Sequence, residues 1–298
     1  MPIRTLHLDR PIDLELTLGL HRRGPRDPAI RLAHGHVIRS TRTADGPATI
    51  ELTVHGDRIA GEAWGPGAER ALDGMAAFVG AADDRADFQP AHRLVADLDH
   101  RLAGLRIGRT GAVLEALIPA ILEQKVTGTE ARRGYHGLID RWGEVAPGPF
   151  GLRLLPAPAV LAAVPYHEMH PIGIERRRAE LIRTVAARAA RFEEIVDLPL
   201  ADAYARLVAL PGIGLWTAAE VAIRALGDPD AVSIGDYHLP SLVSYALAGE
   251  RRGTDARMLE LLEPYRGQRG RVIRLLEAGG IRPAPHGPRM QPRSFATS

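Results

Sequence analysis

Two glycines, a tryptophan and an aspartate carry most of the chemistry that this sequence offers. They lie in Leu210-Pro211-Gly212-Ile213-Gly214-Leu215-Trp216-Thr217-Ala218 and, one helical pattern later, in Asp236-Tyr237. Glycines at 212 and 214 permit positive φ and close backbone approach, so a turn here and the first N–H groups of the next helix can face a nucleic-acid phosphate. Such contacts grip a backbone without reading bases. The same residues also suit a plain glycine-rich link between two antiparallel helices. Asp236 offers one carboxylate that can stabilise cationic charge developing at a carbon and orient or deprotonate water. It also stands where an aspartate would cap the helix that follows, and the two roles are compatible.

The elements that must position these residues are read from periodicity. Residues 36–43, 48–54 and 58–64 read as a three-stranded antiparallel meander with turns at Asp45-Gly46 and Gly56-Asp57 and one solvated face. A helix follows at 68–79, with Leu72, Met75, Ala76 and Val79 at helical spacing. After the polar 80–90 stretch the pattern is helical almost to the end, with a stripe of Leu114, Leu117, Ile118, Ile121 and Leu122. Further helices fit 130–142, 158–164, 176–191, 200–210, 215–226, 237–248, 255–263 and 267–278. The expected fold class is α+β: a small antiparallel-sheet α/β domain over 1–104, then a mainly α-helical domain of two lobes over 105–281. Residues 282–298 read as a disordered tail, rich in proline and arginine.

Composition narrows the function classes. With no cysteine, disulfides, thiolate-zinc sites and iron–sulfur clusters are impossible. No apolar run is long enough to span a membrane and the amino terminus lacks a signal peptide's hydrophobic stretch, so a cytoplasmic, non-membrane protein is expected. The net charge of +2 says little, but its distribution says more. Residues 1–104 hold 13 arginines against 15 acids, and residues 105–298 hold 25 basic residues against 21 acids. The basic excess thus travels with the glycine turn, where phosphates could be met, although solvated helix faces would show the same bias. His167-Glu168-Met169-His170 is one residue too short between its histidines for the zinc-peptidase arrangement, and no third ligand is evident, so no metal and no cofactor is expected.

The glycine turn, the tryptophan and the aspartate together resemble the helix-hairpin-helix DNA glycosylases, and among them 3-methyladenine DNA glycosylase II. Three further segments carry the resemblance: 116–127, similar to the family's helix and wedge loop; 173–179, similar to its second DNA-facing turn; and Pro264-Tyr265-Arg266, where its closing helix opens. The similarity covers most of 105–280; before Arg101 it rests on layout.

The resemblance implies a helix-hairpin-helix glycosylase core and a monomer acting on double-stranded DNA that contains damaged bases, flipped out for excision. It makes Asp236 the catalytic carboxylate. One aspartate suffices because an alkylated purine already carries positive charge and leaves without an acid. Trp216 takes the place of the lysine that forms a Schiff base in relatives with lyase activity, so hydrolysis without strand cleavage is expected. Trp216, Glu220, Tyr237 and Leu20 are assigned to the base pocket. Glu220 departs from the aromatic of 3-methyladenine DNA glycosylase II, and either pairs with a cationic base or an exocyclic amino group, or faces solvent. Gln124, Lys125, Gly173, Arg178, Leu210, Gly212, Ile213, Gly214 and Thr217 are assigned to DNA binding. Lys125, the chain's one lysine, stands where the family's wedge is commonly apolar. Alternatives are a helix-hairpin-helix DNA-binding protein without catalysis, or a glycosylase/lyase for other damaged bases.

Overall fold

A computed structural model describes residues 1–283; most of the expected tail lies outside them. The chain opens with an antiparallel sheet in the order β1-β5-β4-β3-β2, formed by β1 (Ile3–His7), β2 (Ile30–Ala33), β3 (His36–Thr43), β4 (Gly46–His55) and β5 (Arg58–Trp64). Periodicity finds the central three strands; β1 and β2, at five and four residues, are too short to display it. The β4–β5 hairpin turns through Gly56 at φ 65°, with His55 paired to Arg58. One sheet face sends Val37, Ile50, Leu52, Ile59 and Ala63 into a core with Leu14 and Leu18 of α1 (Leu14–Leu18) and with Leu72, Met75 and Phe78. The expected helix over 68–79 is broken at Gly74 into α2 (Ala68–Asp73) and α3 (Met75–Phe78). The other face is not left to solvent throughout. Ile38 packs with Ala146, Leu152 and Leu154, and the Ser40 hydroxyl donates to the Arg153 carbonyl at 2.8 Å, because the 144–155 segment folds back across β3.

The remaining helices are α4 (Arg93–Arg101), α5 (Val113–Glu123), α6 (Gly128–Trp142), α7 (Pro158–Ala163), α8 (Tyr166–Met169), α9 (Arg176–Ala186), α10 (Ala189–Glu193), α11 (Leu200–Val208), α12 (Leu215–Val221), α13 (Leu239–Ala248), α14 (Asp255–Leu262) and α15 (Arg269–Ala278). They bury two cores. The first joins α5, α6, α9 and α11 through residues such as Leu117, Ile121, Leu138, Ile182 and Leu207. The second joins α4, α13, α14 and α15 through Leu98, Val243, Met258 and Leu276. Thus α4, which precedes residue 105, packs with the helices rather than with the sheet. Helix α12 is the shared wall: Ala218 and Val221 face the first core, Ala219 and Ala222 the second. Small residues there let both cores approach one backbone. Past Val221 the helix widens into a π turn over Ala222–Leu226 and stops at Gly227.

The expected helix at 130–142 starts two residues earlier, because Thr127 and Glu130 form a reciprocal capping box. The 176–191 pattern is two helices, α9 and α10, interrupted at Ala187 and Arg188.

Sheet and helices are joined by a half-buried carboxylate. Glu115 of α5 accepts hydrogen bonds from the Arg39 guanidinium at 2.5 Å, the Thr41 hydroxyl at 2.9 Å and the Arg42 N–H at 2.8 Å, tying three β3 residues to one side chain. Arg39 is itself buried and lies 5.0 Å from the Phe78 ring centroid. Removing one member of such a pair strands the other charge away from water. Glu115→Ala should therefore lower unfolding free energy in urea by roughly 3 kcal/mol, where an exposed pair would cost about 1 kcal/mol or less. A loss within the latter range would mean that Glu115 is not the tie between sheet and helices.

Candidate active site

The glycine turn is a helix-hairpin-helix. Helix α11 ends at Val208, Gly212 takes φ 101°, and α12 begins at Leu215. A side chain at Gly212 would be strained by that φ, and its Cβ would lie 3.0 Å from Leu181. Gly214 behaves differently from the sequence expectation: at φ −100° and ψ −177° it is extended, a conformation open to any residue. What glycine provides at 214 is space, since it is exposed and nothing lies within 4 Å of a would-be Cβ. No side chain caps α12, so its first N–H groups stay available. Ile213 and Thr217 are buried, so their side chains hold the turn from inside. Leu210 is half-buried against the first core, while Leu215 is 57% exposed at the lip.

Gln124 belongs to the same support. Its amide donates to the Gly212 carbonyl at 2.9 Å and to the Thr217 hydroxyl at 3.0 Å, so it braces the hairpin instead of projecting outward. Lys125 is the exposed residue of that loop, at φ 54°, the one non-glycine with positive φ among the described residues. The Arg23 guanidinium holds the end of α5 just before it through Glu123 at 2.6 Å. The second expected DNA-facing turn has Gly173 in the left-handed region at φ 91°, followed by exposed Arg176 and Arg177. Arg178 corrects the sequence reading. It is only 4% exposed and donates to the Leu122 carbonyl at 2.9 Å, so its guanidinium finishes α5 and does not reach the surface.

Asp236 and Trp216 come together. The Trp216 indole N–H donates to Oδ2 of Asp236 at 3.0 Å, while Oδ1 accepts the N–H groups of His238 at 2.7 Å and Leu239 at 2.9 Å. The carboxylate therefore caps α13 from three residues before the helix begins, while remaining half-buried beside the tryptophan. A carboxylate has about four lone-pair positions, and three are occupied, so one acceptor position remains for water. Tyr237 does not line an enclosed pocket: it is 84% exposed, edge-on to His238 with ring centroids 4.9 Å apart. Leu20 is half-buried against the second core, and its carbonyl accepts from Arg224 at 3.2 Å.

Glu220 does not face solvent. It is enclosed, with Oε2 accepting from Arg224 at 2.5 Å and Oε1 from the Ser233 hydroxyl at 2.6 Å. Burial pushes its carboxyl up, but Arg224 and Ser233 outweigh that and hold it below the ordinary glutamate range. It is thus an ionised, paired group within the fold. The i,i+4 spacing of Glu220 and Arg224 was the available signal for this, and Ser233 gave none.

The segment from Gly227 to Asp236 has almost no regular structure but is fastened along its length. The Tyr204 hydroxyl donates to Asp228 at 2.8 Å; Asp230 accepts from Arg269 at 2.5 Å and from the Gly267 N–H at 2.8 Å; Gly235 N–H donates to Asp255 at 3.1 Å. Sequence reasoning singled out none of these partners, because each pair is far apart along the chain.

His167 and His170 sit on a short turn beside Tyr166, whose ring lies 5.6 Å from that of His170 and 4.9 Å from the Arg176 guanidinium. No group of three or more potential metal-ligating side chains converges among the described residues, and no helix there is long and apolar enough to cross a membrane.

An antiparallel sheet followed by two helical cores, with two helices joined by a tight glycine turn, is the fold of solved helix-hairpin-helix DNA glycosylases. Solved structures bear this out. A 3-methyladenine DNA glycosylase from Archaeoglobus fulgidus superimposes with a TM-score of 0.76 over 92% of this chain and 97% of its own, at 19% identity. The 8-oxoguanine glycosylase/lyase of Clostridium acetobutylicum, in complex with double-stranded DNA, gives 0.66 over 93% and 97% at 12% identity. In sequence, a Mycobacterium tuberculosis protein described as a probable bifunctional transcriptional activator/DNA repair enzyme AlkA is 30% identical over 138 residues, 46% of this chain. That stretch spans only 28% of the relative's length. No family model matches the chain.

The double duty of Asp236 separates two substitutions. Asp236→Ala removes the acceptor for two backbone N–H groups and should cost about 1 kcal/mol of stability in chemical denaturation, the usual worth of a helix cap. Asp236→Asn keeps an oxygen that can accept them and should cost only a small part of that. Equal losses in the two variants would show that the cap contributes nothing.

Proposed function

We propose that this chain is a monofunctional DNA glycosylase that flips a damaged base, an alkylated purine, out of duplex DNA and hydrolyses its glycosidic bond, with Asp236 as the catalytic carboxylate. The observation that carries the reading is the 3.0 Å hydrogen bond between Trp216 and Asp236 at the helix following the hairpin. It pairs a carboxylate with an aromatic surface. An electron-poor, cationic base is attracted to such a surface, and the carboxylate can meet the charge left behind.

The steps balance without a cofactor. The C1′–N bond breaks with its electron pair going to the cationic purine, which departs neutral. Positive charge then spreads over C1′ and the ring oxygen, where the Asp236 carboxylate stabilises it. Water adds to C1′ and loses its proton to Asp236 or to solvent, leaving free base and an abasic sugar. The indole of Trp216 cannot form a Schiff base, which supports hydrolysis without strand cleavage. The likeness in fold to a 3-methyladenine DNA glycosylase supports the alkylated-purine assignment. In this reading the uncapped N-terminus of α12 and the Gly173 turn hold two stretches of phosphate backbone, and Lys125 is the side chain presented to the duplex.

Wild type should release base from methylated duplex DNA and leave intact strands that break only after alkali, with no borohydride-trapped adduct. Asp236→Asn should lose about 2.7 kcal/mol or more of transition-state stabilisation, a rate drop on the order of a hundredfold, with duplex binding retained. A borohydride adduct lost in Lys125→Ala would replace this reading with the lyase; unchanged release by Asp236→Asn would remove the aspartate from the chemistry.

The hairpin has a cleaner probe in Gly214→Val than in Gly212→Val. Position 214 is extended, exposed and clear of other atoms, so valine should leave the melting temperature unchanged. It should weaken damaged and undamaged duplexes alike in a fluorescence-anisotropy titration, since phosphate contacts are independent of sequence. Undiminished affinity would mean that phosphate does not approach this turn.

A further inference from the structure

Helix α12 carries two side chains that reach the Gly227–Asp236 segment, four residues apart and so on one helix face. Trp216 holds the segment's end by its hydrogen bond to Asp236, and Glu220 holds its middle through the 2.6 Å bond from Ser233. Between those anchors the chain makes a tight turn, in which the Asp236 N–H donates to the Ser233 carbonyl at 3.2 Å. A closed circuit results: Trp216 to Asp236, Asp236 to Ser233, Ser233 to Glu220, and Glu220 back along α12 to Trp216.

We infer that Glu220 is a positioning residue, which through Ser233 fixes the turn that presents Asp236 to Trp216. The inference rests on Asp236 being the catalytic carboxylate. Ser233 is 6% exposed, so its hydroxyl has no water to fall back on if Glu220 is lost. The other fastenings of the segment lead elsewhere, Asp230 to α15 and Gly235 to α14. The Asp228 N–H donates to the Ala222 carbonyl at 3.1 Å where the segment leaves the helix, and between there and Asp236 the Ser233 contact is the side-chain bond among the described residues that returns to the helix bearing the tryptophan, so it sets the distance between the two halves of the site. Arg224 completes the device. It pairs with Glu220 and reaches the Leu20 carbonyl at 3.2 Å, which ties the same turn to the N-terminal segment. With its charge matched by Arg224 and its oxygens engaged, Glu220 is not a selector of cationic over neutral bases.

The test uses the full chain and two readouts. One is single-turnover release of 7-methylguanine and of hypoxanthine from duplex DNA. The other is the Trp216 indole N–H resonance, assigned with Trp216→Phe. Ser233→Ala removes the link while leaving the Glu220–Arg224 pair, and so avoids the folding cost that Glu220→Gln carries. It should slow release of both bases by the same factor, roughly tenfold to a hundredfold for a carboxylate displaced by up to an ångström, with duplex affinity unchanged. The indole resonance should shift, and Ser233→Thr, which keeps a hydroxyl, should restore both rate and resonance. Glu220→Gln should shift the resonance the same way. An unmoved resonance in Ser233→Ala overturns the inference, as does a loss confined to 7-methylguanine in Glu220→Gln. If wild type releases neither base, the glycosylase reading fails on its own, and the resonance still reports whether the circuit positions Asp236.

Discussion

Three hydrogen bonds converge on the carboxylate of Asp236, one from an indole and two from the backbone that starts α13. A half-buried carboxylate with a single donor would wander among rotamers. One held by donors from two helices has a fixed orientation. The glycine turn, the placement of α12 and the fastening of the preceding segment can all be understood as serving that convergence.

The location of α12 explains how such orientation is maintained. Its alanines and Val221 are shared by two hydrophobic cores, so the helix cannot shift without disturbing both. Close-packed interiors give way only at substantial cost. Tryptophan and glutamate thus project from an immobile element, and the irregular segment facing them inherits its rigidity through side chains. The same logic applies at the N-terminal side, where Glu115 fixes β3 to α5, and Arg23 and Arg224 bring the chain around Leu20 onto the helices.

Much of this was legible in the sequence where the determinants are local. The hairpin follows from Leu210-Pro211-Gly212 and the helical stripes beside it, and the central strands follow from alternation over 48–54. The contact of Asp236 with Trp216 was not legible, since nothing in the spacing of residues 216 and 236 requires it. Where the reading failed, distant partners decided. Arg178 looked like a surface cation, but the open carbonyl of Leu122 draws it inward. Gln124 looked like part of a wedge, yet the Gly212 carbonyl and Thr217 claim its amide. Tyr237 looked like a pocket residue, and the cap made by Asp236 turns it outward. Gly214 shows that a glycine can be required for the space around it and not for its φ.

The fastened segment before Asp236 also differs from the hairpin in where its partners lie. Its partners are spread along the polypeptide: Tyr204 and Glu220 precede it, whereas Asp255, Gly267 and Arg269 come later. The hairpin is closed by neighbours in sequence, whereas the segment beside it is held by residues up to 39 positions away. Loosening α14 or α15 would therefore release the segment while leaving the glycine turn closed.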